Sequence, residues 1–257
     1  MTVLLCESKK AGDEMCLGIL GGLGPMASAY FLELIVSMTD AKRDQDHPEI
    51  ILINAPSVPD RTAFIMGKSS ENPVFSMIQM GNQLKSMGAS IIATPCITAH
   101  YFHRELQDGI GLPVIHAIRC CTDLLQQNGI KKVGLMATDG TVHSGIFQGQ
   151  LKDTGIELIL PSTAGQKTVM SIIYDCIKAG TAPDIRLFKA VHRYLRLAGA
   201  EVTLLGCTEL SLLKKDHNLG DGILDAMEVL ARECVRSCGK SIKPEYNNLF
   251  IPAQWKG

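Results

Sequence analysis

Ser90-Ile91-Ile92-Ala93-Thr94-Pro95-Cys96-Ile97-Thr98-Ala99-His100 and Glu201-Val202-Thr203-Leu204-Leu205-Gly206-Cys207-Thr208-Glu209-Leu210 share one pattern. In each, a β-branched apolar run stops at Pro or Gly, and a cysteine follows at once. Runs of this kind read as buried parallel strands. Each cysteine is therefore expected where a strand ends and a loop or helix begins. In open α/β sheets that edge is where ligands bind. The two cysteines lie 207 − 96 = 111 positions apart, one per half of the chain. The duplication predicts two thiols facing one cleft. A single free cysteine is more often a small buried hydrophobe, because reactivity needs a special environment. Only the repeated context sets Cys96 and Cys207 apart from the other seven cysteines.

The rest of the chain alternates strand and helix. Strands are predicted at residues 16–20, 50–53, 113–118, 131–137 and 156–160, besides the two cysteine strands. Helices are predicted from Pro25 to about Thr39 and over 72–88, 98–106, 120–128, 166–179, 184–197 and 222–238. In the second of these, Phe75, Ile78, Met80, Leu84 and Met87 are expected to be mostly core. The alternation argues for an α/β fold built on parallel sheets. The loop Thr138-Asp139-Gly140-Thr141 parallels the glycine loop after the first strand, which supports an internal duplication. The expected architecture is two similar parallel-sheet, Rossmann-like domains related by pseudo-twofold symmetry, with the active site in the cleft between them. The first domain is placed at 15–113 and the second at 114–215. Helix 222–238 is expected to return to the first domain, and 1–14 and 240–257 to be tails.

Gly21-Gly22-Leu23-Gly24-Pro25 opens the first helix and is a formal match to G-x-G-x-x-A through Gly22, Gly24 and Ala27. A glycine loop at a helix start is a ready anion site. A dinucleotide reading also needs an acidic residue at the end of the second strand. Here that strand ends in Asn54-Ala55-Pro56, with no carboxylate, so the nucleotide reading is disfavoured. Beyond it, Pro59-Asp60-Arg61-Thr62 forms a loop at the same sheet edge. Arg61 is then a candidate to grip a carboxylate through its planar fork, or else a solvated surface arginine.

Composition sets the outer limits. The 257 residues are 46% hydrophobic and 20% charged, with a formal net charge of -1. Nothing in that balance argues for a nucleic acid or an acidic membrane surface as partner. No apolar run is long enough to span a bilayer. Nine cysteines without a disulfide-like framework fit a reducing compartment. The first 14 residues lack the features of a signal peptide. A cytoplasmic protein is expected.

Two opposed thiols have few uses. A Cys–His nucleophile pair would use His100, four residues after Cys96, but no histidine follows Cys207 in the same way. A metal held by Cys96, His100 and Cys207 is disfavoured, because the chain has no Cys-x-x-Cys pair. The remaining chemistry uses both cysteines equally. One, as thiolate, removes a proton from carbon, and the other, as thiol, delivers one to the opposite face. That inverts a stereocentre without a cofactor. The carbanion needs donors where charge develops on the carboxylate. Thr98, Thr208 and nearby backbone N–H groups are the local supply.

At this point the chain resembles the cofactor-independent aspartate/glutamate racemase family, most closely its aspartate racemases. The resemblance covers nearly all of residues 16–238. Besides the glycine loop, it is carried by Lys42-Arg43-Asp44-Gln45-Asp46-His47-Pro48, Pro59-Asp60-Arg61-Thr62 and Pro95-Cys96-Ile97-Thr98-Ala99-His100. It continues in Leu135-Met136-Ala137-Thr138-Asp139-Gly140-Thr141, Ile177-Lys178-Ala179-Gly180 and Gly206-Cys207-Thr208-Glu209. It implies a two-domain fold, an interdomain site, no cofactor and, commonly, a homodimer. It implies Cys96 and Cys207 as the acid/base pair. Arg61 and Lys178 would bind the side-chain carboxylate of a small acidic amino acid. Thr98, Thr138 and Thr208 would hold the α-carboxylate and amino group, with Leu23, Ile97 and Glu209 also at the substrate. Read by position alone, Lys178 would be a cation answering a helix C-terminal dipole.

The chain departs from the family twice. Ile97 stands where asparagine is usual, and Leu23 where methionine is frequent. Isoleucine can neither donate nor accept a hydrogen bond. Racemisation of aspartate, with glutamate as an alternative, is the leading expectation. Its rivals are a related diacid isomerase or decarboxylase, and a dicarboxylate binder whose catalysis Ile97 has altered.

Overall fold

The computed structural model of the protein describes residues 15–250. The expected leader at 1–14 and the last seven residues of the expected tail lie outside that range. Two parallel sheets organise the chain. In the first, β1 (Leu17–Gly21) lies between β2 (Ile50–Asn54) and β3 (Ile91–Ala93). Val114 adds a single parallel bridge to Ile92 on the outer side of β3. The second sheet comprises β4 (Lys132–Ala137), β5 (Glu157–Ile159), β6 (Val202–Gly206) and β7 (Ile223–Asp225), in the order β5-β4-β6-β7. With Val114 counted as a rudimentary fourth strand, the two sheets have the same order. The fold is the expected α/β arrangement of two parallel sheets, and β3 and β6 occupy matching places in them.

Four helices tie the halves together. α1 (Pro25–Met38) starts on a proline, which loses nothing at a position whose N–H has no helical partner. α5 (Ala117–Gln127) leaves the first sheet and packs on α7 (Ile146–Leu151) of the second half. α11 (Ala226–Ser237) leaves β7 and packs on both α1 and α5. One apolar core consequently runs through both halves, from Leu17, Ile19 and Phe31 to Val133, Leu135, Phe147 and Leu230. The outer faces of the sheets have separate cores, around Met77 and Leu84 in the first half and Phe188 and Leu195 in the second. Close packing of this kind holds the two strand edges in a fixed relation.

Several local expectations are corrected. Residues 113–118 do not form a strand beyond the Val114 bridge, because Ala117 already opens α5. The His116 ring caps that helix, with Nδ1 accepting the Arg119 N–H at 3.3 Å. The segment 222–238 is not one helix. Its start is β7, and Asp225 then caps α11 by accepting the Met227 N–H at 2.9 Å. Residues 97–102 form a 3-10 turn, followed by α4 (His103–Ile110). In α3 (Val74–Ser86) the buried positions are Met77, Met80, Gly81 and Leu84, whereas Phe75 is 68% exposed and Met87, just past the helix, 61%. The apolar face is set by Gly81, which lets Ile110 pack directly over the α3 backbone.

The glycine loop shows why it needs glycine. Gly22 has φ +92, and a Cβ there would overlap the backbone of Ala55. Ser28 closes the loop from within, accepting the Gly22 N–H at 2.8 Å and donating to the Gly24 carbonyl at 2.9 Å. These contacts occupy the Gly22 N–H and the Gly24 carbonyl, and the close approach of Ala55 accounts for the glycine at position 22. Replacing Gly22→Ala is expected to cost about 2 kcal/mol or more, since both the left-handed backbone and the steric overlap oppose it. Urea unfolding would show this as a lower midpoint at unchanged slope.

Candidate active site

The carboxyl edges of the sheets meet at one narrow cavity. Its lining includes all ten residues singled out from the sequence: Leu23, Arg61, Cys96, Ile97, Thr98, Thr138, Lys178, Cys207, Thr208 and Glu209. It also includes Asp60, Thr62 and Tyr174. Both cysteines are buried, at 7% and 6% exposure. Cys96 follows β3 through Thr94 and Pro95. Cys207 follows β6 directly and is the residue before α10 (Thr208–Asp216). A wider vestibule lies alongside, bounded by Gly24, Met26, Val58, Ile177 and Leu212, and it shares Leu23, Asp60, Arg61, Lys178 and Glu209 with the cavity.

His100 is not part of this site. Its ring lies behind the Cys96 loop, with Nε2 3.2 Å from the Thr94 carbonyl, and stacks 5.5 Å from His116. Burial, with help from His116 and His103, lowers its pKa to about 3, so it stays neutral. A Cys96–His100 pair is thereby ruled out as the working arrangement. Among the described residues, no group of three or more His, Cys, Asp or Glu side chains is arranged to hold a metal ion.

The electrostatics around the two thiols differ. Cys207 Sγ donates to Glu209 Oε2 at 2.9 Å, and Thr208 donates to the same oxygen at 3.1 Å. Burial, then the facing Glu209 carboxylate, push the Cys207 thiol well above its ordinary pKa, while Lys178 pulls the other way. Cys207 is consequently held as a thiol. The other Glu209 oxygen pairs with Lys178 Nζ at 3.2 Å. Burial works against the lysine's charge, but the Glu209 carboxylate outweighs it and raises its pKa. The first glycine loop presses on this group: a Cβ on Gly24 would stand 2.8 Å from Glu209 Oε1.

Cys96 has a cation, not a carboxylate, as its neighbour. Burial opposes the charge of Arg61, yet the Cys96 sulfur and Asp60 outweigh it and raise its pKa. Its guanidinium is fixed by three backbone carbonyls. Nη1 donates to Val58 at 3.2 Å and Pro59 at 2.9 Å, and Nη2 to Leu23 at 3.1 Å. Nε is buried with no partner. A buried guanidinium N–H of this kind, on a cation fixed beside the Cys96 sulfur, is suited to receive an anionic group.

A π-helical turn at Ser171–Ile177 delivers Tyr174 and Lys178 together. It continues α8 (Thr163–Met170), and the Lys178 N–H bonds to the Ile173 carbonyl, five residues back. Such wide turns occur often at functional sites. Lys178 Nζ lies 5.1 Å from the Tyr174 ring centre, and the Tyr174 hydroxyl donates to Asp60 Oδ2 at 3.2 Å across the cavity. Asp60 and Thr62 were in view in the Pro59–Thr62 motif, where only the arginine was singled out. Tyr174 had a signal too, four residues before Lys178 on one predicted helix. Ile97 is 1% exposed and packs in the shared core while facing the cavity, so it supplies an apolar wall.

The model of the Asp/Glu/hydantoin racemase family matches residues 20–234. The chain belongs to that family. It is 27% identical over 226 residues to the broad-specificity amino-acid racemase RacX of Bacillus subtilis, covering 85% of this chain and 96% of the relative. It is 26% identical over 185 residues to the glutamate racemase of Aquifex aeolicus, covering 70% and 68%. Among solved structures, the aspartate racemase of Picrophilus torridus superposes with a TM-score of 0.80 at 33% identity, covering 90% of this chain and 97% of that one. Family membership supports an isomerase. No helix among the described residues is long and apolar enough to cross a membrane.

Proposed function

We propose that this chain is a cofactor-independent racemase of a small acidic amino acid, aspartate foremost, using Cys96 and Cys207 as its two acid/base groups. The observation that carries the reading is the unequal setting of two thiols on one cavity. Cys207 is a thiol hydrogen-bonded to Glu209, and Cys96 lies beside the Arg61 cation. The two thiols thus sit in unlike settings, one facing a carboxylate and one a cation, which suits the two opposite proton transfers of an inversion. The Cys96 thiolate takes the α-proton, and its S–H bond forms as the Cα–H bond breaks. The electron pair spreads into the α-carboxylate. Cys207 then gives its proton to the opposite face and is left as the thiolate, so the next turnover can run in reverse. Thr98, Thr138 and Thr208 supply donors for the carboxylate. Arg61, through its free Nε, and Lys178 receive the side-chain carboxylate. Likeness to the Picrophilus aspartate racemase supports aspartate over glutamate. An intracellular homodimer needing neither metal nor cofactor completes the proposal.

The test is α-proton exchange of L- and D-aspartate in D2O, followed by NMR and optical rotation. Exchange with inversion of both enantiomers is the expected result. Aspartate that binds without exchange would overturn the reading in favour of a binder. Faster exchange of glutamate would move the substrate without changing the mechanism.

A further inference from the structure

Four buried threonines meet beside the cavity, two from each half. Thr62 is the second residue of α2 (Arg61–Ile65), and Thr98 lies in the 3-10 turn after Cys96. Thr138 caps α6 (Asp139–Ser144), and Thr141 lies within it. The Thr62 hydroxyl donates to Thr138 Oγ1 at 3.2 Å. Thr98 Oγ1 lies 3.0 Å from Thr138 Oγ1 and 2.9 Å from Thr141 Oγ1, and the last two are 3.2 Å apart. The Thr141 N–H also donates to Thr138 Oγ1, at 3.3 Å. Thr62, Thr98 and Thr138 face the cavity, whereas Thr141 is fully buried.

A hydroxyl has one proton to give and two lone pairs to receive. Thr138 already accepts twice, from the Thr62 hydroxyl and the Thr141 N–H, so its oxygen is full. Its own proton goes to Thr98 or to Thr141. If it went to Thr98, and Thr98 donated to Thr141, the spare proton would sit on fully buried Thr141 with no acceptor. A buried donor left unpaired is costly. The other polarity avoids this: Thr62 to Thr138, Thr138 to Thr141, Thr141 to Thr98. The one spare proton then belongs to Thr98, on the cavity wall.

We infer that Thr62 and Thr141 are positioning residues for substrate recognition, and that Thr62 commits the Thr98 hydroxyl to donate into the cavity. The inference builds on the proposed racemase, whose substrate carboxylate would receive that proton. Without the Thr62 hydroxyl, one Thr138 lone pair is free. Thr138, Thr141 and Thr98 can then close a three-membered ring of hydrogen bonds, leaving no proton for the substrate. Without the Thr141 hydroxyl as well, no ring can form. Of Thr98 and Thr138, one donates to the other, and the second is free to donate to the cavity.

This predicts an unusual order of effects. Thr62→Val is isosteric and should weaken kcat/KM for L-aspartate about five- to tenfold, the worth of one neutral hydrogen bond. The loss should lie mainly in KM. Thr62→Ser should restore it, and the double variant T62V/T141V should recover most of what T62V lost. A purely structural role would make the two losses add instead. The same series is read without turnover as the affinity for malate, by calorimetry on the full chain. T62V equal to wild type, T62S as weak as T62V, or a double variant weaker than T62V would each overturn the inference. If wild-type protein exchanges no α-proton, the racemase reading fails, and the malate series still decides this one. Wild type that neither exchanges nor binds malate overturns both.

Discussion

Cys96→Ala and Cys207→Ala are each expected to abolish racemisation, by about three orders of magnitude or more, since each removes a group that moves the proton itself. The two variants should not be equivalent. A variant with one thiol can still remove and return the α-proton on one face, exchanging one enantiomer without inverting it. In the Cys207→Ala variant the surviving thiol is Cys96, which lies beside Arg61. It should exchange the α-proton of one enantiomer readily. In the Cys96→Ala variant the surviving thiol is Cys207, which burial and Glu209 hold protonated. It should be a poor base, and exchange near neutral pH should be much slower. NMR in D2O with each enantiomer, beside polarimetry, separates exchange from inversion. Either variant racemising at the wild-type rate would end the two-thiol account. Equal exchange by both would leave two thiols but no built-in polarity.

The pairing of the two cysteines was legible because sheet topology repeats. Each lies at the end of an apolar run, and period and punctuation alone placed both at a strand edge. The same logic brought Arg61 to that edge, although the expected loop ends at Asp60, whose carboxylate accepts the Ala63 N–H and starts α2 at Arg61 itself. It failed for Lys178, whose position in sequence fits a helix C-terminal cation equally well. Only the π turn, which no periodicity announces, swings it over Tyr174 and onto Glu209. It also failed at Phe75 and Met87, because the α3 face is decided by a close helix–helix approach at Gly81, a tertiary contact with no local signature. Residues 113–118 read as a strand for their β-branched composition, yet the His116 cap starts a helix one residue later. The threonine network was out of reach for a different cause. Thr62 and Thr141 are ordinary residues in sequence, and become a set only when the two halves meet.

Glu209→Gln is the second large effect, and it separates binding from chemistry. The amide keeps the shape and removes the charge. Lys178 then loses its partner at 3.2 Å and is free for a substrate carboxylate, so KM should fall. Cys207 loses the facing anion, and its pKa should fall because the thiolate is no longer opposed. Cys207 then loses its proton at lower pH, so on the alkaline side, where the thiolate cannot reprotonate the carbanion, kcat should fall about tenfold or more. Because the two enantiomers are equal in free energy, kcat/KM must be the same in both directions, whatever Glu209 does. Its pH profile therefore reports the free enzyme that holds one thiol and one thiolate. Its alkaline limb is set by loss of the Cys207 proton, and that limb should move to lower pH in the variant. An alkaline limb that stays in place while kcat falls would reduce Glu209 to a structural partner of Lys178. A shift with lowered KM would instead assign to one carboxylate both tasks that the geometry joins: keeping Cys207 protonated, and holding Lys178 until a substrate carboxylate displaces it.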